Sequence, residues 1–483
     1  MDIRKYVLGD ASPIKTGLTS SVFLTGFIGV VILPFYLYLF GAGIFWQFLG
    51  VLINIVIIWN LESYRLMRYA KRSKRVLTIP GYLEHRFGSK GFYVRVFASV
   101  EIIILSLVIN ALILKEAAFV FGKIFNMNVD VISVLIMSYI TLAIGWFGVN
   151  FMLKSARIRA IFLLVVISFL VVFLLMDVGI STLIRNMMAT DITGSVSNYL
   201  NVLFHNGEPL ELEDYISMIS MGFLASGMPF MLGLFFAEED GKAIRIGKMI
   251  SLIFVILFFM VLACLGAVSR GVLFPEKITN SLSEYITLLF ERIERMNAIG
   301  TVFSAFYMVV VFLGFSSALE GSLHATISSV YEDILISGRI MRINHKNDRR
   351  NLFIIAVLCG VATVVLSMCI IQNSFAVILV FIATLGCSIS PTVFMSLVWK
   401  RMNRFGALAG LVTGLVSVPL FKYAHLFRVG EVKGSLCDLL GINSVIPSMM
   451  ATFTMIMLVS LITPKPEEKY IDEFMEVRNR ITE

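Results

Sequence analysis

The chain has 483 residues, of which 58% are hydrophobic and only 15% charged, with a mean hydropathy of +0.89. Soluble globular chains carry about 25% charged residues, so this composition cannot cover a water-facing surface and excludes a soluble enzyme, a disordered tail and a nucleic-acid module. The net charge of +8, from 40 basic and 32 acidic residues, sits in short segments between apolar runs, where it reads as topology.

A helix needs roughly 20 apolar residues to cross a bilayer. That template predicts an all-α polytopic membrane protein with about twelve spans. They fall near 17–41, 44–64, 92–122, 129–151, 158–178, 213–237, 246–272, 299–327, 351–371, 374–399, 405–424 and 445–463. The spans fill residues 1–463 as one membrane unit, with a charged tail over 464–483. Basic residues gather in alternate loops: Arg65 to Arg75, Lys154 to Arg159, Lys242 to Lys248, Arg339 to Arg350 and Lys400 to Arg404. By the positive-inside rule both termini are cytoplasmic. The N-terminus shows no small-residue cleavage site, so no removable signal peptide is expected. Of the outer loops, 273–298 is expected to hold a short amphipathic helix over the outer face. The five cysteines are scattered without CxxC spacing, and no metal or catalytic cluster is expected.

The first and sixth spans both contain helix breakers: Gly26, Gly29 and Pro34 in one, Gly222, Gly227, Pro229 and Gly233 in the other. At membrane depth freed carbonyls need a partner such as an ion, a water or a solute. The two spans run in opposite directions five spans apart, as an inverted repeat requires. Close helix packing alone also favours glycine, so both explanations stand at this point.

Several segments then carry a resemblance. Tyr6-Val7-Leu8-Gly9 precedes span 1, and Leu33-Pro34 with Tyr36-Leu37 and Gly41 ends it. Leu77 to Tyr82 with His85-Arg86-Phe87 follows, then Gly227-Met228-Pro229 and the stretch from Ser317 to Asp333. Ser396 to Asn403 with Gly406-Ala407-Leu408-Ala409-Gly410 completes the series. Collinear over the chain, these motifs resemble the sodium/solute symporter family. The resemblance implies a LeuT-type five-plus-five inverted-repeat core, with repeat one about 17–178 and repeat two about 213–399. Two extra helices, about 405–463, follow. It also implies secondary transport of a small organic solute by alternating access, with Na+ as the family's coupling ion and no other cofactor; H+ is the alternative coupling ion that Glu320 and His324 offer. Relatives usually carry one more helix ahead of the core, whereas this chain is expected to begin at it.

Carried over by position, the family's cation site falls on the backbone of Val22 and Thr25 with Gly314, Ser317 and Ala318 opposite. Ala318 replaces a threonine, while Leu24 and Ala156 stand where relatives carry aspartates. A hard cation wants several oxygens, so the site is expected to be degraded. Ser316 points about 100° from Ser317. The solute pocket falls on Thr25, Gly26, Ile28, Met221, Ala225 and Ser226, more apolar than an amino-acid carrier's, with Ser220 as a further hydroxyl. Glu320 and His324 lie four residues apart on one face of span 8. They read either as a proton-coupling pair or as a structural hydrogen-bonded pair. Glu101 lies deep in span 3. Lys115 and Glu116 read as interfacial, and Arg157 and Arg159 as inner anchors of span 5. The alternative to transport is a non-transporting homologue acting as a sensor or as the membrane subunit of a complex with a protein partner. Enzyme motifs such as HExxH or a nucleophile elbow are missing from the sequence.

Overall fold

The computed structural model describes residues 3–73, 76–189, 198–205, 208–276, 278, 281–340, 347–370, 375–424, 427–429 and 432–479. Among the described residues, eleven continuous helices are long and apolar enough to cross a membrane. In chain order they are span 1 (Pro13–Phe40), span 2 (Ala42–Arg72), span 3 (Phe92–Phe125), span 4 (Val129–Phe147) and span 5 (Val149–Val178). Span 7 (Gly241–Leu273), span 8 (Ala298–Ile336), span 9 (Asp348–Cys369), span 10 (Phe375–Val398), span 11 (Arg404–Tyr423) and span 12 (Val445–Ile462) follow. The expected sixth crossing is made of short pieces: α-helix Leu212–Met221, 3-10 turns Gly222–Gly227, helix Pro229–Gly233 and 3-10 turns Leu234–Ala237. Among the described residues, these eleven helices and this segment match the twelve expected spans, the sixth being discontinuous because Gly222, Gly227 and Pro229 interrupt its hydrogen-bond ladder.

Local chemistry sets the helix ends. Ser12, Asp240, Asn297 and Asn403 each accept an N–H of the first turn of spans 1, 7, 8 and 11, satisfying donors that a helix start leaves open. Span 1 is the central helix: it packs on spans 5, 7 and 8, and most of its apolar window is buried. Span 6 leans instead on spans 2 and 10, while spans 11 and 12 pack on each other and on span 10. The expected outer helix runs Leu282–Glu294 and buries Leu282, Tyr285, Ile286, Leu289 and Ile293 against the bundle. Tyr285 donates to Ser269 Oγ at 2.9 Å. Two-stranded hairpins pair Phe204–His205 with Glu208–Pro209, and Phe427–Val429 with Val432–Gly434.

A short helix, Ile3–Val7, leads into span 1. Asn150, at the start of span 5, holds this segment by accepting the Asp10 N–H at 2.8 Å and donating to the Lys5 carbonyl at 3.2 Å. At the other end, the tail helix Glu468–Asn479 lies against the end of span 2 and the loop helix Ile79–Phe87. Both ends thus lie on the face that the basic loops mark as cytoplasmic.

Candidate functional site

Span 1 does not unwind. Thr25 Oγ1 donates to the Ser21 carbonyl at 2.8 Å, and the Gly26 N–H is bonded to the Val22 carbonyl. From Gly26 to Ile32 the chain is a π-helix, and the Leu33 N–H closes onto the Ile28 carbonyl five residues back. Pro34 explains the change of pitch. It has no N–H, and its ring collides with the carbonyl of residue i−4 in an α-helix; a wider turn upstream moves that carbonyl aside. Span 6 opens further. Met228 is extended (ψ 110°), and Pro229 restarts the helix at its first position. The Gly222 carbonyl is taken by Asn54 Nδ2 of span 2 at 2.9 Å.

Three small cavities follow one another along this core. The outermost, about 80 Å³, is lined by Thr25, Ile28, Gly29 and Tyr36 of span 1, Gln47, Phe48 and Val51 of span 2, and Met221 and Gly222 of span 6. Spans 7 and 10 close it with Val255, Phe259, Leu379 and Ile382. The middle one, about 60 Å³, lies among Phe23, Phe27, Ser106, Met228, Phe230, Ala318 and Ser322. Leu24, Ile28 and Ile382 belong to both linings, forming an apolar partition between them. The innermost, about 30 Å³, contains Thr78, His324, Ser328 and Ser329, and shares Pro229, Phe230 and Ala325 with the middle one.

Of the expected pocket residues, Thr25, Ile28 and Met221 line the outer cavity. Gly26 faces the other way, packed so tightly on Ser317 that a methyl there would overlap the Ser317 hydroxyl. Ala225 and Ser226 belong to the Gly222–Gly227 turns, and their side chains lie outside the described residues. Across from span 1, Ser317 Oγ donates to the Gly314 carbonyl at 2.9 Å and Ser316 Oγ to the Leu313 carbonyl at 3.3 Å. Ala318 lines the middle cavity.

The structure does not pair Glu320 with His324. Arg159 of span 5 takes Glu320 in a two-pronged ion pair, Nη1 to Oε2 at 2.7 Å and Nη2 to Oε1 at 2.8 Å. Glu320 is 0% and Arg159 7% exposed. The reason lies in the start of span 5: the helix begins at Val149, so Arg159 is inside the core and not at a flank. Its planar fork matches a carboxylate, which a histidine cannot do. A signal was present, because Arg159 shares a helical face with the buried Ala156, Ala160 and Leu163, while Arg157 is exposed. His324 turns to the short helix Ile3–Val7, where Nε2 donates to the Tyr6 carbonyl at 3.3 Å between the rings of Tyr6 and Phe230. Glu101 is buried against Ser388 of span 10. Lys115 reaches Asp130 at 3.5 Å, and Glu116 accepts the Ser283 N–H.

A second ionic cluster was not foreseen. At the cytoplasmic end, Arg95 of span 3 meets Asp333 at 2.8 Å and Glu332 at 3.4 Å on span 8, and Glu84 of the loop helix at 2.8 Å. Thr78, which caps the loop helix, also donates to Asp333 at 2.6 Å. The cluster ties three elements together beside the innermost cavity. Sequence proximity could not reveal it, because its members are up to 255 residues apart.

Comparison with known proteins places this architecture. The sodium:solute symporter family model matches residues 13–414. The high-affinity proline transporter PutP of Bacillus subtilis (strain 168) is 25% identical over all of this chain and 97% of its own. The osmoregulated proline transporter OpuE of the same organism is 23% identical over 96% of this chain and 90% of its own. Among solved structures, a substrate-bound, outward-open Na+-coupled sialic acid symporter superposes with a TM-score of 0.72. That match covers 96% of this chain and 93% of the other at 13% identity. Mhp1, a nucleobase-cation-symport-1 transporter, gives 0.58 at 10% identity, over 98% and 97% of the two chains. The fold is the LeuT-type core with two further helices. The chain belongs to the sodium:solute symporter family and is a multi-pass membrane protein that carries a small solute by secondary transport.

Proposed function

We propose that the solute is compact and mainly aliphatic, with one small polar head, and that it passes inward through the three cavities in turn. The observation that carries this reading is the shared partition. Leu24, Ile28 and Ile382 separate two cavities that lie between the interrupted spans, so a modest shift of these side chains would hand a solute from one to the next. The outer cavity supports the solute class. Its walls are Ile, Leu, Val, Phe and Met, and its polar groups are Thr25, Gln47 and Tyr36, with no charged side chain in the lining among the described residues. Apolar walls with few convergent polar groups are the usual build of a small-molecule site. Proline, the solute in the relatives' names, is small and largely aliphatic and heads the list of candidates. Neutral aliphatic amides and alcohols follow. In alternating access, the Arg95 cluster would close the inner end while the outer cavity is open, and its ion pairs would part when the inner cavity opens.

Counterflow in proteoliposomes tests this, because exchange of labelled for unlabelled solute needs no ion gradient. Proline or another compact aliphatic solute should exchange, and Ile28→Trp, which fills the partition, should reduce exchange at least about tenfold. Failure of every member of an aliphatic panel to exchange, with a charged or sugar-like solute exchanging instead, would overturn the assignment.

A further inference from the structure

We propose that Arg159 is a resident cation of the transport core. In this reading it supplies, at the junction of spans 1, 5 and 8, the positive charge that a sodium ion would otherwise bring, and the carrier cycles without binding sodium. The proposal rests on the transporter reading for what the junction does, but its test requires no solute.

The residues at the junction do not build an oxygen shell for a hard cation. The Val22 carbonyl is occupied by the Gly26 N–H, and span 1 continues as a hydrogen-bonded π-helix where an unwound segment would free carbonyls. Thr25 and Ser317 donate to carbonyls of their own helices, Ser21 and Gly314, which occupies those carbonyls and leaves each hydroxyl as at most a single oxygen ligand. Gly26 and Ser317 are in direct contact, and Ala318 offers only a methyl. Neither Leu24 nor Ala156 brings a negative charge.

The charge at this junction is instead covalent. Arg159 lies three residues beyond Ala156 on span 5, and Glu320 three residues beyond Ser317 on span 8. Across the face between spans 5 and 8 these two side chains meet. Both oxygens of Glu320 are engaged, at 2.7 and 2.8 Å. The guanidinium is further held by the Tyr139 hydroxyl and by the face of Phe151 at 5.2 Å. A carboxylate sealed in the membrane must have a counter-charge. Here that charge never leaves, and a sodium ion arriving beside it would meet a like charge.

The prediction follows from removing the guanidinium while leaving the carboxylate. The full-length protein in lipid nanodiscs is tested for saturable binding of radioactive sodium against choline. The parent should bind none. Arg159→Ala, and separately Arg159→Gln, should gain about one sodium per chain. Arg159→Lys keeps a cation and should stay blind to sodium. Arg159→Ala combined with Glu320→Gln should lose the gained site. Saturable sodium binding by the parent overturns the proposal even if no variant folds. It is equally overturned if Arg159→Ala or Arg159→Gln runs as a monodisperse species and gains nothing, which would leave the pair as a structural strut. A negative counterflow result alongside the predicted sodium pattern would fault the solute assignment and not this one.

Discussion

Spans 1 and 6 are both interrupted near mid-membrane, yet the interruptions are built differently. Span 1 keeps its ladder by widening it: the π-helical stretch Gly26–Ile32 accommodates Pro34 with the backbone still bonded to itself. Span 6 gives its ladder up, passing through 3-10 turns and an extended Met228 before Pro229, and a neighbour's side chain, Asn54, takes the freed Gly222 carbonyl. Their supports differ too. Span 1 rests on spans 5, 7 and 8, with the Arg159–Glu320 pair bolting spans 5 and 8 behind it. Span 6 rests on spans 2 and 10 through bare backbone, Gly222 on Gly50 and Gly227 on Gly386. A helix that keeps its own bonds makes a fixed wall, whereas one whose bonds are lent to neighbours can rearrange when the neighbours do. Of the two, span 6 is the one whose backbone bonds depend on its neighbours.

The largest effects are expected where backbone meets backbone. A side chain at Gly222 or Gly227 would overlap main-chain atoms of Gly50 or Gly386, which have nowhere to retreat. Gly222→Val and Gly227→Val should abolish counterflow and reduce the yield of monodisperse protein. Normal exchange by either would mean that span 6 does not depend on its close backbone contacts with spans 2 and 10, and the contrast with span 1 would fall. Gly26→Ala should be less severe, because the atom in its way is the hydroxyl of Ser317 and not backbone. A several-fold loss of exchange is expected, with partial recovery when Ser317→Ala is added. Without such recovery, the strain in span 1 lies elsewhere.

This difference between side chain and backbone also marks what could be read from the sequence. Glycine and proline placed both interruptions correctly, because their effect on the helix is intrinsic to the residue. The manner of interruption was not legible. Whether Pro34 is met by unwinding or by a π-turn depends on what packs beside Val30 and Leu33, and Gly222 needs Asn54, 168 residues away. The apolar pattern gave eleven crossings as continuous helices, since burial in lipid leaves a run of one character. The twelfth was visible as a run and, from its glycines and proline, as an interrupted one, but not as a chain of short helical pieces. The fate of Glu320 shows the same limit. Four-residue spacing puts His324 on its face, but the choice of partner was settled by the depth of Arg159, which followed from a span boundary placed about ten residues too late.

The smallest expected effect lies farthest from the break. Span 10, on which span 6 leans, is fixed at its cytoplasmic end by the loop helix: the Tyr82 and Ser396 hydroxyls are 2.9 Å apart, and Arg86 Nε donates to the Ser396 carbonyl at 3.1 Å. The tail helix clamps that loop helix in turn. Glu473 meets His85 at 2.9 Å, Glu476 meets Arg72, Arg68 donates to the Val477 carbonyl at 2.7 Å, and Phe474 is buried beneath Arg86. Burial alone would raise the Glu473 carboxyl, but the hydrogen bond and charge of His85, with Arg72 and Arg86, outweigh it and hold the group below its ordinary value. A carboxyl lowered by folding stabilises the docked state above its ordinary pKa of about 4.3 and ceases to do so as pH falls through the lowered value. The tail should therefore stay docked at neutral pH and loosen only as the pH falls through the lowered value of Glu473. Glu473→Gln should reproduce a mild version of that loosening at pH 7, worth at most about 1 kcal/mol for a pair near the surface. Hydrogen exchange over 468–479 should rise in both cases, with a smaller rise in span 6 and none in span 1. A rise confined to span 1 would show that the tail bears on span 1 and not on the neighbour-dependent bonds of span 6.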